Sequence, residues 1–347
     1  MRTTSHVLYD AIRRSSQYES EFLMRYPTQA MLAALCCAQC PAPLALAQEY
    51  PDRPIRMLTP SLPGGAPDVG ARVVAERLSL RLGQKVVVEN RAGAGGIIAL
   101  ELLKNAPPNG YTIASTQIGP LTIMPLVEDN LPFDPLRDFT HITNLLVFPT
   151  ALIAHTSLPV KNVRDLIALA RARPGAITYA SSGVGGTVHT TAELFSMMAK
   201  IKMQRIQFKS LAPALVSVLS GESQISFPNL SAALPHVQGG RLRVLGVTSA
   251  KRLPTLPDIP TIAESGVPGY EATGGVGMIG PANLPRRVLQ RLNHEIVDIL
   301  NSPEVGEIFL KVSMLPSPTT PEEFTDYIKS ELKKWAPVVK QAGMRGV

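Results

Sequence analysis

The sequence predicts an α/β protein built from two lobes, and two features of its pattern support that prediction. From Ile55 onward, short β-branched runs alternate with amphipathic stretches, as strands and helices do in α/β proteins. The alternation falls into two blocks, at about residues 50–148 and 150–270, and a mainly helical tail follows them. The chain is long enough for each block to bury a core of its own.

Two extended segments, at about residues 145–153 and 270–279, lie between the blocks. We interpret them as two hinge crossings of the chain, which makes the first lobe discontinuous. The predicted lobes are a first lobe at 48–148 plus 272–347 and a second lobe at 149–271.

The first block opens with a strand and a glycine turn that leads into a helix. Val69, Val73, Ala75 and Leu78 are predicted on the inner side of that helix, and Gly83 is predicted to end it. In order, the predicted elements are a strand at 55–59, a turn at 63–65, a helix at 68–82, a strand at 85–89, a glycine loop at 93–96, a short helix ending near 106 and a strand at 111–115.

The second block repeats this rhythm, with Asn162 predicted to cap its first helix. Pro303 and Pro321 fit the first turns of helices in the tail. The predicted elements of the second block are helices at 162–173, 187–200, 211–219 and 231–238 and strands at 176–180, 203–208, 223–227 and 242–248.

Residues 1–47 are predicted to be a signal peptide. An apolar and small-residue stretch at 31–47 follows Arg25 and closes with Ala45-Leu46-Ala47, an A-x-A cleavage signal before Gln48. We therefore expect export, with a mature chain that begins at Gln48. The upstream part is long and polar for a signal, so we hypothesise that translation begins at Met24.

Composition argues against several classes of partner. The chain has 347 residues and a formal net charge of +7, but its Lys and Arg residues are scattered rather than clustered. A nucleic-acid-binding protein concentrates such charge on one face, so we expect no nucleic-acid partner. All three cysteines lie in the predicted signal peptide, at Cys36, Cys37 and Cys40. The mature chain is thus expected to have neither disulfides nor a thiolate metal site.

Two strand–loop–helix junctions, at 55–68 and 177–187, are the strongest local features. Glycines in each loop allow a tight turn and close approach to a ligand, and the following helix presents unpaired N–H groups. Such a terminus binds carboxylates and phosphates without a cationic side chain. Two interpretations remain open for each loop, an anion clamp or an ordinary turn before a capped helix.

The candidate ligand-binding residues come from these junctions and from neighbouring strand ends. His189, in the first turn of its helix, is either close to the ligand or a packing or capping group. The full candidate set is Pro63, Gly64, Gly65, Ala66, Asp68, Ser115, Thr116, Ser181, Ser182, Gly183, Gly186, Thr187, His189 and Asn229.

Competing glycine motifs fail on single positions. The third glycine of a dinucleotide fingerprint is replaced by Val188 in one loop and by Ile98 in another, and no Walker-type phosphate loop exists. A nucleophile elbow at Ser182 would need glycine where Ala180 stands.

Isolated side chains give no sign of a metal or cofactor. The histidines outside the signal peptide are not spaced with other ligands, so we expect no metal site and no cofactor. Trp335, the single tryptophan, is predicted to lie in the core. Arg91, in Glu89-Asn90-Arg91, is interpreted as part of a loop-bracing ion pair, with a ligand clamp as the alternative.

Longer motifs resemble a known family along essentially the whole mature chain. The chain is similar to the Bug (TctC-like) extracytoplasmic solute receptors of tripartite tricarboxylate transporters. The motifs that carry the resemblance are Pro63-Gly64-Gly65 with Asp68, Val86-Val87-Val88-Glu89-Asn90-Arg91-Ala92-Gly93, Asn109-Gly110-Tyr111-Thr112, Leu131-Pro132-Phe133-Asp134-Pro135, Tyr179-Ala180-Ser181-Ser182-Gly183, Ala233-Leu234-Pro235-His236 and Leu256-Pro257-Asp258-Ile259-Pro260-Thr261.

The resemblance implies a periplasmic-binding-protein fold of the Venus-flytrap, type II-like kind. It also implies a periplasmic, non-enzymatic receptor that holds a small carboxylate in the cleft, through backbone amides and ordered waters of the first loop and of the loop at 179–187. The implied partners are the permease subunits of a tripartite transporter, and we expect a monomer.

Three departures from the family pattern bear on the ligand. Ala66-Pro67 replaces a small hydroxyl residue, Pro228-Asn229 replaces Asp-Asn, and glycines in the segment at 273–277 replace a cleft aromatic that is often Trp. All three remove polar or aromatic contacts, so we expect a roomier cleft and an atypical ligand.

Two other functions remain as alternatives to a transport receptor. One is a binding-fold sensor domain that docks onto a membrane signalling partner. The other is an enzyme acting on small acids, which would need an acid, base or nucleophile. The two loops supply only Asp68 and His189 for that role.

Overall fold

The computed structural model describes residues 50–182, 186–254 and 256–345. The predicted signal peptide, its cleavage before Gln48, and Gly183 of the second loop lie outside these residues. The described part contains two mixed β-sheets with helices packed against them, which confirms the predicted α/β class.

Strands and helices alternate along most of the described chain. The strands are β1 (Ile55–Thr59), β2 (Val86–Asn90), β3 (Thr112–Gln117), β4 (Phe139–Pro149), β5 (Ala151–His155), β6 (Thr178–Ser182), β7 (Gln204–Phe208), β8 (Ile225–Ser226), β9 (Leu242–Val247), β10 (Thr273–Pro281) and β11 (Leu315–Pro316). The helices are α1 (Ala66–Leu82), α2 (Ile97–Lys104), α3 (Gly119–Thr122), α4 (Met124–Val127), α5 (Val163–Ala172), α6 (Thr187–Ala199), α7 (Leu211–Leu219), α8 (Leu230–Gln238), α9 (Arg286–Leu300), α10 (Pro303–Lys311) and α11 (Pro321–Gln341). Within the described residues, no helix is both long and apolar enough to cross a membrane.

The first sheet has the strand order β11-β4-β10-β3-β1-β2. In it, β1 pairs in parallel with β2 and β3, whereas β10 runs antiparallel to β3 and β4. Because β1 and β3 are parallel, the loops that follow them leave from the same edge of the sheet. Ligands of α/β proteins bind beside such carboxyl edges.

The second sheet has the strand order β7-β6-β8-β5-β9. Here β6 pairs in parallel with β7 and β8, and β5 runs antiparallel to β8 and β9. The second candidate loop leaves the carboxyl end of β6 and leads directly into α6.

The chain crosses between the sheets at two described places. It leaves the first sheet at Thr150, between β4 and β5, and returns between β9 and β10. The Thr248 hydroxyl donates to the Thr150 carbonyl at 2.9 Å, and the two hydroxyl oxygens are 2.8 Å apart. Both side chains are fully buried, so hydrogen bonds join the two crossings. The exact lobe boundaries stay a prediction.

Helix α11 packs into the cores of both sheets. Phe324 and Ile328 join the core cluster of the first sheet, whereas Trp335, Val338 and Val339 join the cluster beneath the second. The segment at 272–347, assigned to the first lobe from sequence, therefore makes core contacts on both sides.

The predicted inner face of α1 is confirmed at Ala75 and Leu78, which are buried, but it is shifted at the two valines. Val69 and Val73 are only partly buried, whereas Ala71 and Val74 are fully buried. The reason is close packing at small residues, since a Cβ on Gly70 would stand 3.2 Å from the Leu146 side chain of β4. A prediction from large apolar side chains therefore misses the part of the helix face where Gly70 and Ala71 pack against the sheet.

Predicted helix ends agree with the structure. The Asn162 side chain accepts a hydrogen bond from the Asp165 amide at 2.9 Å, as an N-cap does. Gly83 ends α1 in the left-handed conformation, with a φ of 66°. Pro303 and Pro321 occupy the first turns of α10 and α11.

Candidate functional site

The first candidate loop joins β1 to α1 and contains Pro63, Gly64, Gly65 and Ala66. Gly64 has a φ of 85°, a conformation that glycine adopts at little cost. Gly65 has an ordinary extended φ of −69°, which any residue can adopt. Glycine is favoured there because a side chain would have little room. A Cβ on Gly65 would stand 3.0 Å from the Ser61 Cβ atom.

Asp68 braces this loop from inside. Its side chain is buried and accepts hydrogen bonds from the Gly64 amide at 2.9 Å, from Arg72 Nε at 3.0 Å and from Asn90 Nδ2 at 2.8 Å. Burial raises the pKa of Asp68, but the hydrogen bonds from Arg72, Gly64 and Asn90 outweigh it and hold the pKa below its usual range. The carboxylate is thus ionised and fixes the loop, and its contact with a ligand stays a prediction.

Ser115 and Thr116, at the end of β3, are both fully buried. The Ser115 hydroxyl donates to the Pro67 carbonyl at 3.0 Å, which ties β3 to the start of α1. The Thr116 hydroxyl donates to the Gln117 carbonyl at 3.3 Å. Both hydroxyls therefore have partners within the protein.

The second candidate loop ends at Gly186, the N-cap of α6. Gly186 has no side chain to cap this helix, and the first amides of any helix have no acceptor within the helix itself. Gly186 has a φ of −69°, an angle open to any residue. At the other end of the loop, the Ser181 hydroxyl is buried and has no hydrogen-bond partner among the described residues, while Ser182 is half-buried.

His189 does not line a described pocket; its side chain lies in a polar cluster with Arg205 and Glu193. Its Nε2 atom lies 2.6 Å from Arg205 Nη1 and 3.9 Å from the Glu193 carboxylate, which also accepts a hydrogen bond from the Tyr179 hydroxyl. Burial, assisted by the positive charge of Arg205, lowers the pKa of His189 to about 4. The imidazole is therefore neutral at physiological pH and packs against Arg205.

Asn229 and Arg91 occupy positions outside the loops. Asn229 is the N-cap residue of α8 and pairs with Thr150 at the first crossing. Arg91 forms the expected ion pair with Glu89, which also binds Arg56. Among the described residues, no group of His, Cys, Asp or Glu could hold a metal ion.

A pocket of about 260 Å³ adjoins the start of α6. Its walls come from α6, from the β3–α3 connection with α4, from the start of β10 and from α11. Gly186 and Thr187 are the predicted residues that line it. The other described candidates do not line it, because the pocket extends from α6 toward α3, α4 and α11. The candidates outside the pocket are Pro63, Gly64, Gly65, Ala66, Asp68, Ser115, Thr116, Ser181, Ser182, His189 and Asn229.

The pocket has a polar side and an apolar side. Thr187, Thr190 and Thr191 of α6 supply hydroxyl groups on the polar side. Apolar wall comes from Ile123, Met124, Val127, Phe148 and Trp335, and Gln117, Thr122 and Thr273 add uncharged polar groups away from α6. Among the described lining residues there is no Lys or Arg, whereas Glu128 and Glu331 contribute carboxylates.

Phe148 supplies an aromatic wall that the sequence pattern did not reveal. It lies opposite Gly274 in the antiparallel pair of β4 and β10. A Cβ on Gly274 would stand 1.8 Å from the Phe148 ring, so the ring occupies the space that a side chain at 274 would need. The segment at 273–277 has no aromatic, as the sequence shows, and the register of the two strands brings one into the pocket from β4 instead.

Trp335 is buried in the core, as predicted, and it also lines the pocket. Its indole Nε1 donates to the Glu331 carboxylate at 2.8 Å, and Lys334 forms an ion pair with the same carboxylate. The indole N–H is thus satisfied within α11, which leaves the ring as apolar wall.

Comparison with known proteins gives concordant similarities. A family model for the tripartite tricarboxylate transporter family receptor, TctC, matches residues 70–344. Protein BugT of Bordetella pertussis is 34% identical over 300 residues, which cover 86% of this chain and 92% of BugT.

Solved structures extend the similarity to the fold. R. palustris Rpa4515, solved with adipate, is 34% identical with a TM-score of 0.72, covering 85% of this chain and 99% of that one. The periplasmic binding protein BugD is 30% identical with a TM-score of 0.68, at the same two coverages. These similarities confirm the periplasmic-binding-protein fold and the family that the motifs indicated.

Proposed function

Because this chain belongs to the tripartite tricarboxylate transporter receptor family, TctC, we propose that it captures a small carboxylate and delivers it to the permease subunits of such a transporter. The observation that carries the proposal is the position of the pocket at the N-terminus of α6, where Gly186 is the N-cap residue. An acid could be held there without a cationic side chain.

The electrostatics of α6 favour an anion. The helix has thirteen residues and begins at Thr187. Its aligned peptide dipoles place about half a positive charge at that end. First-turn amides that lack intrahelical partners donate hydrogen bonds to a carboxylate, and the Thr187 hydroxyl adds another donor. Rpa4515, 34% identical to this chain, was solved with a dicarboxylate, adipate, which agrees with an acid as ligand.

The first candidate loop supplies the second half of the proposed clamp. Its shape is fixed by Asp68, and it leaves the same sheet edge as the β3–α3 connection that lines the pocket. We infer that Pro63, Gly64, Gly65 and Ala66 approach the ligand when the lobes close. Movement of this kind is common in two-lobed binding proteins.

The receptor acts in the periplasm as a monomer in this proposal, exported by the signal at 1–47. Cross-linking in intact cells followed by purification of membrane complexes tests the partner. Recovery of permease subunits supports delivery for transport, whereas recovery of a membrane signalling protein in their place contradicts it.

The binding proposal is tested with the single tryptophan as reporter. Trp335 lines the pocket, so an acid bound there is expected to change its fluorescence emission. Titration with a panel of mono-, di- and tricarboxylates should give a saturable change and a matching one-to-one heat in calorimetry. The acid should be recovered chemically unchanged, which separates a receptor from an enzyme.

The matched control is the uncharged amide of each acid that binds. An amide keeps the size of the acid and removes its charge, so binding should fall to an undetectable level. Equal affinity for acid and amide, or no response to any acid, would show that the start of α6 is not an anion site.

A further inference from the structure

We propose that the site selects a carboxylic acid with an apolar body, and that Phe148 determines how large that body is. The inference rests on the proposed function, since it takes the start of α6 as the place where the carboxylate binds. It concerns the rest of the ligand, which contacts the opposite side of the pocket.

The opposite side offers hydrocarbon surface. Ile123 and Val127 are buried side chains of the short helical segment that follows β3, and Phe148 and Trp335 expose 8% and 5% of their surface. Trp335 contributes a ring whose N–H is already bound to Glu331. An apolar ligand body loses contact with water against these side chains, which favours binding.

A second ligand carboxylate on that side has no cation to receive it. The described lining contains no Lys or Arg, and the carboxylate of Glu331 stands beside Trp335. Lys334 is the nearest balancing charge, but it is paired with Glu331. A second carboxylate would therefore give up hydration, gain no cationic partner and face a group of like charge.

Phe148 sets the extent of the apolar side through its pairing with Gly274. The two residues are cross-strand partners, and the ring fills the position above the glycine so completely that no Cβ fits beneath it. Removing the ring therefore opens space next to the pocket. A longer or bulkier acid body would then find room, while a short one would lose contacts.

Ligand class is tested first on the unaltered protein by calorimetry with hexanoate, adipate and tricarballylate. Hexanoate and adipate have the same chain length and differ by one terminal carboxylate. We expect hexanoate to bind more tightly than adipate by about tenfold or more, and tricarballylate to bind weakest. Tighter binding of adipate overturns the inference but leaves the proposed function intact. Failure of all acids to bind instead overturns the proposed function.

Phe148→Ala tests the size determinant, with Phe309→Ala as the matched control. Both rings belong to the same core cluster, but Phe309 does not line the pocket. Phe148→Ala should weaken hexanoate and shift the octanoate-to-hexanoate affinity ratio by about tenfold. Phe309→Ala should lower the unfolding temperature and leave that ratio unchanged.

An unchanged ratio in folded Phe148→Ala contradicts the role of Phe148. If that variant does not fold, Phe148→Leu replaces it, since leucine retains part of the packing and still shortens the wall. The unaltered protein decides the ligand class in either case.

Discussion

At the scale of single residues, the first loop is shaped by hydrogen bonds to one buried carboxylate. Asp68 accepts hydrogen bonds from the Gly64 amide in the loop, from Arg72 in α1 and from Asn90 in β2. Replacing Asp68 should therefore loosen the connection between three elements. The effect should appear in stability and in the shape of the loop together.

Asp68→Asn is predicted to change how stability depends on pH. The folded-state pKa of Asp68 is lowered, so the ionised group stabilises the fold above its unfolded pKa, about 4. That stabilisation is lost as the pH falls through the lower folded pKa. In the Asp68→Asn variant the free energy of unfolding should be lower by about 1–2 kcal/mol at neutral pH and should fall less steeply in acid.

Denaturant unfolding between neutral and acidic pH measures this prediction. The control is Asp326→Asn, which removes an exposed carboxylate whose ion pair with Lys329 lies on the surface of α11. It should leave the pH profile nearly unchanged. Parallel profiles for Asp68→Asn and the unaltered protein would refute the bracing role.

Some pocket residues could be predicted from local sequence, whereas others depend on contacts between distant segments. Gly186 and Thr187, which line the pocket, were predicted on local grounds alone, because a helix that starts after a strand and a glycine loop presents amide groups suited to an anion. Phe148 was missed because its contact with Gly274 depends on the β4–β10 register, which joins residues far apart in sequence. Trp335 was correctly placed in the core, but its second role as pocket wall depends on how α11 packs.

At the scale of elements, α6 is the helix on which the proposed clamp depends. Thr187→Ala should weaken acid binding by about fivefold, equivalent to about 1 kcal/mol for one lost hydrogen bond. Gly186→Val should weaken binding more, because its added side chain occupies the approach to the first-turn amides. Backbone strain contributes nothing there, since the φ of Gly186 is −69°.

Arg91→Ala is the control for those two variants. Arg91 pairs with Glu89 on β2, so its removal should lower stability slightly and leave acid affinity within about twofold. Calorimetry on folded variants gives all three affinities. Loss of binding in Arg91→Ala together with normal binding in Gly186→Val would mean that a salt bridge, and not α6, holds the ligand.

Helix ends were predictable where a local signal fixes them, as at Asn162, Gly83 and Pro321. The buried face of α1 was predicted only in part: Ala75 and Leu78 are buried as expected, whereas burial of Ala71 and Val74 depends on how closely the helix approaches the sheet. Periodicity identifies a helix more reliably than it identifies the side that packs.

At the scale of the whole molecule, the alternation of blocks predicted an α/β protein, and the two extended segments predicted where the chain passes from one sheet to the other. Neither could predict that α11 joins both cores, because that contact depends on the path of the tail after the last strand. The lobe boundaries at 148–149 and 271–272 stay a prediction.

Acid binding is predicted to close the lobes. A ligand that contacts α6 of one lobe and the first loop of the other favours the closed state by its extra contacts. Small-angle scattering should therefore give a smaller radius of gyration with bound acid, and a chelator should leave affinity unchanged. Identical scattering with and without acid, or loss of binding on chelation, contradicts this prediction.

The double attachment of α11 has a mechanical consequence. Phe324 anchors one end of the helix in the first core and Val338 anchors the other in the second, so a change of angle between the cores must flex it. Pro337 cannot donate to the Lys333 carbonyl, which makes the turn beside Trp335 the most compliant one. We therefore expect α11 to bend at this turn, beside the pocket, when acid binding changes the angle between the two cores.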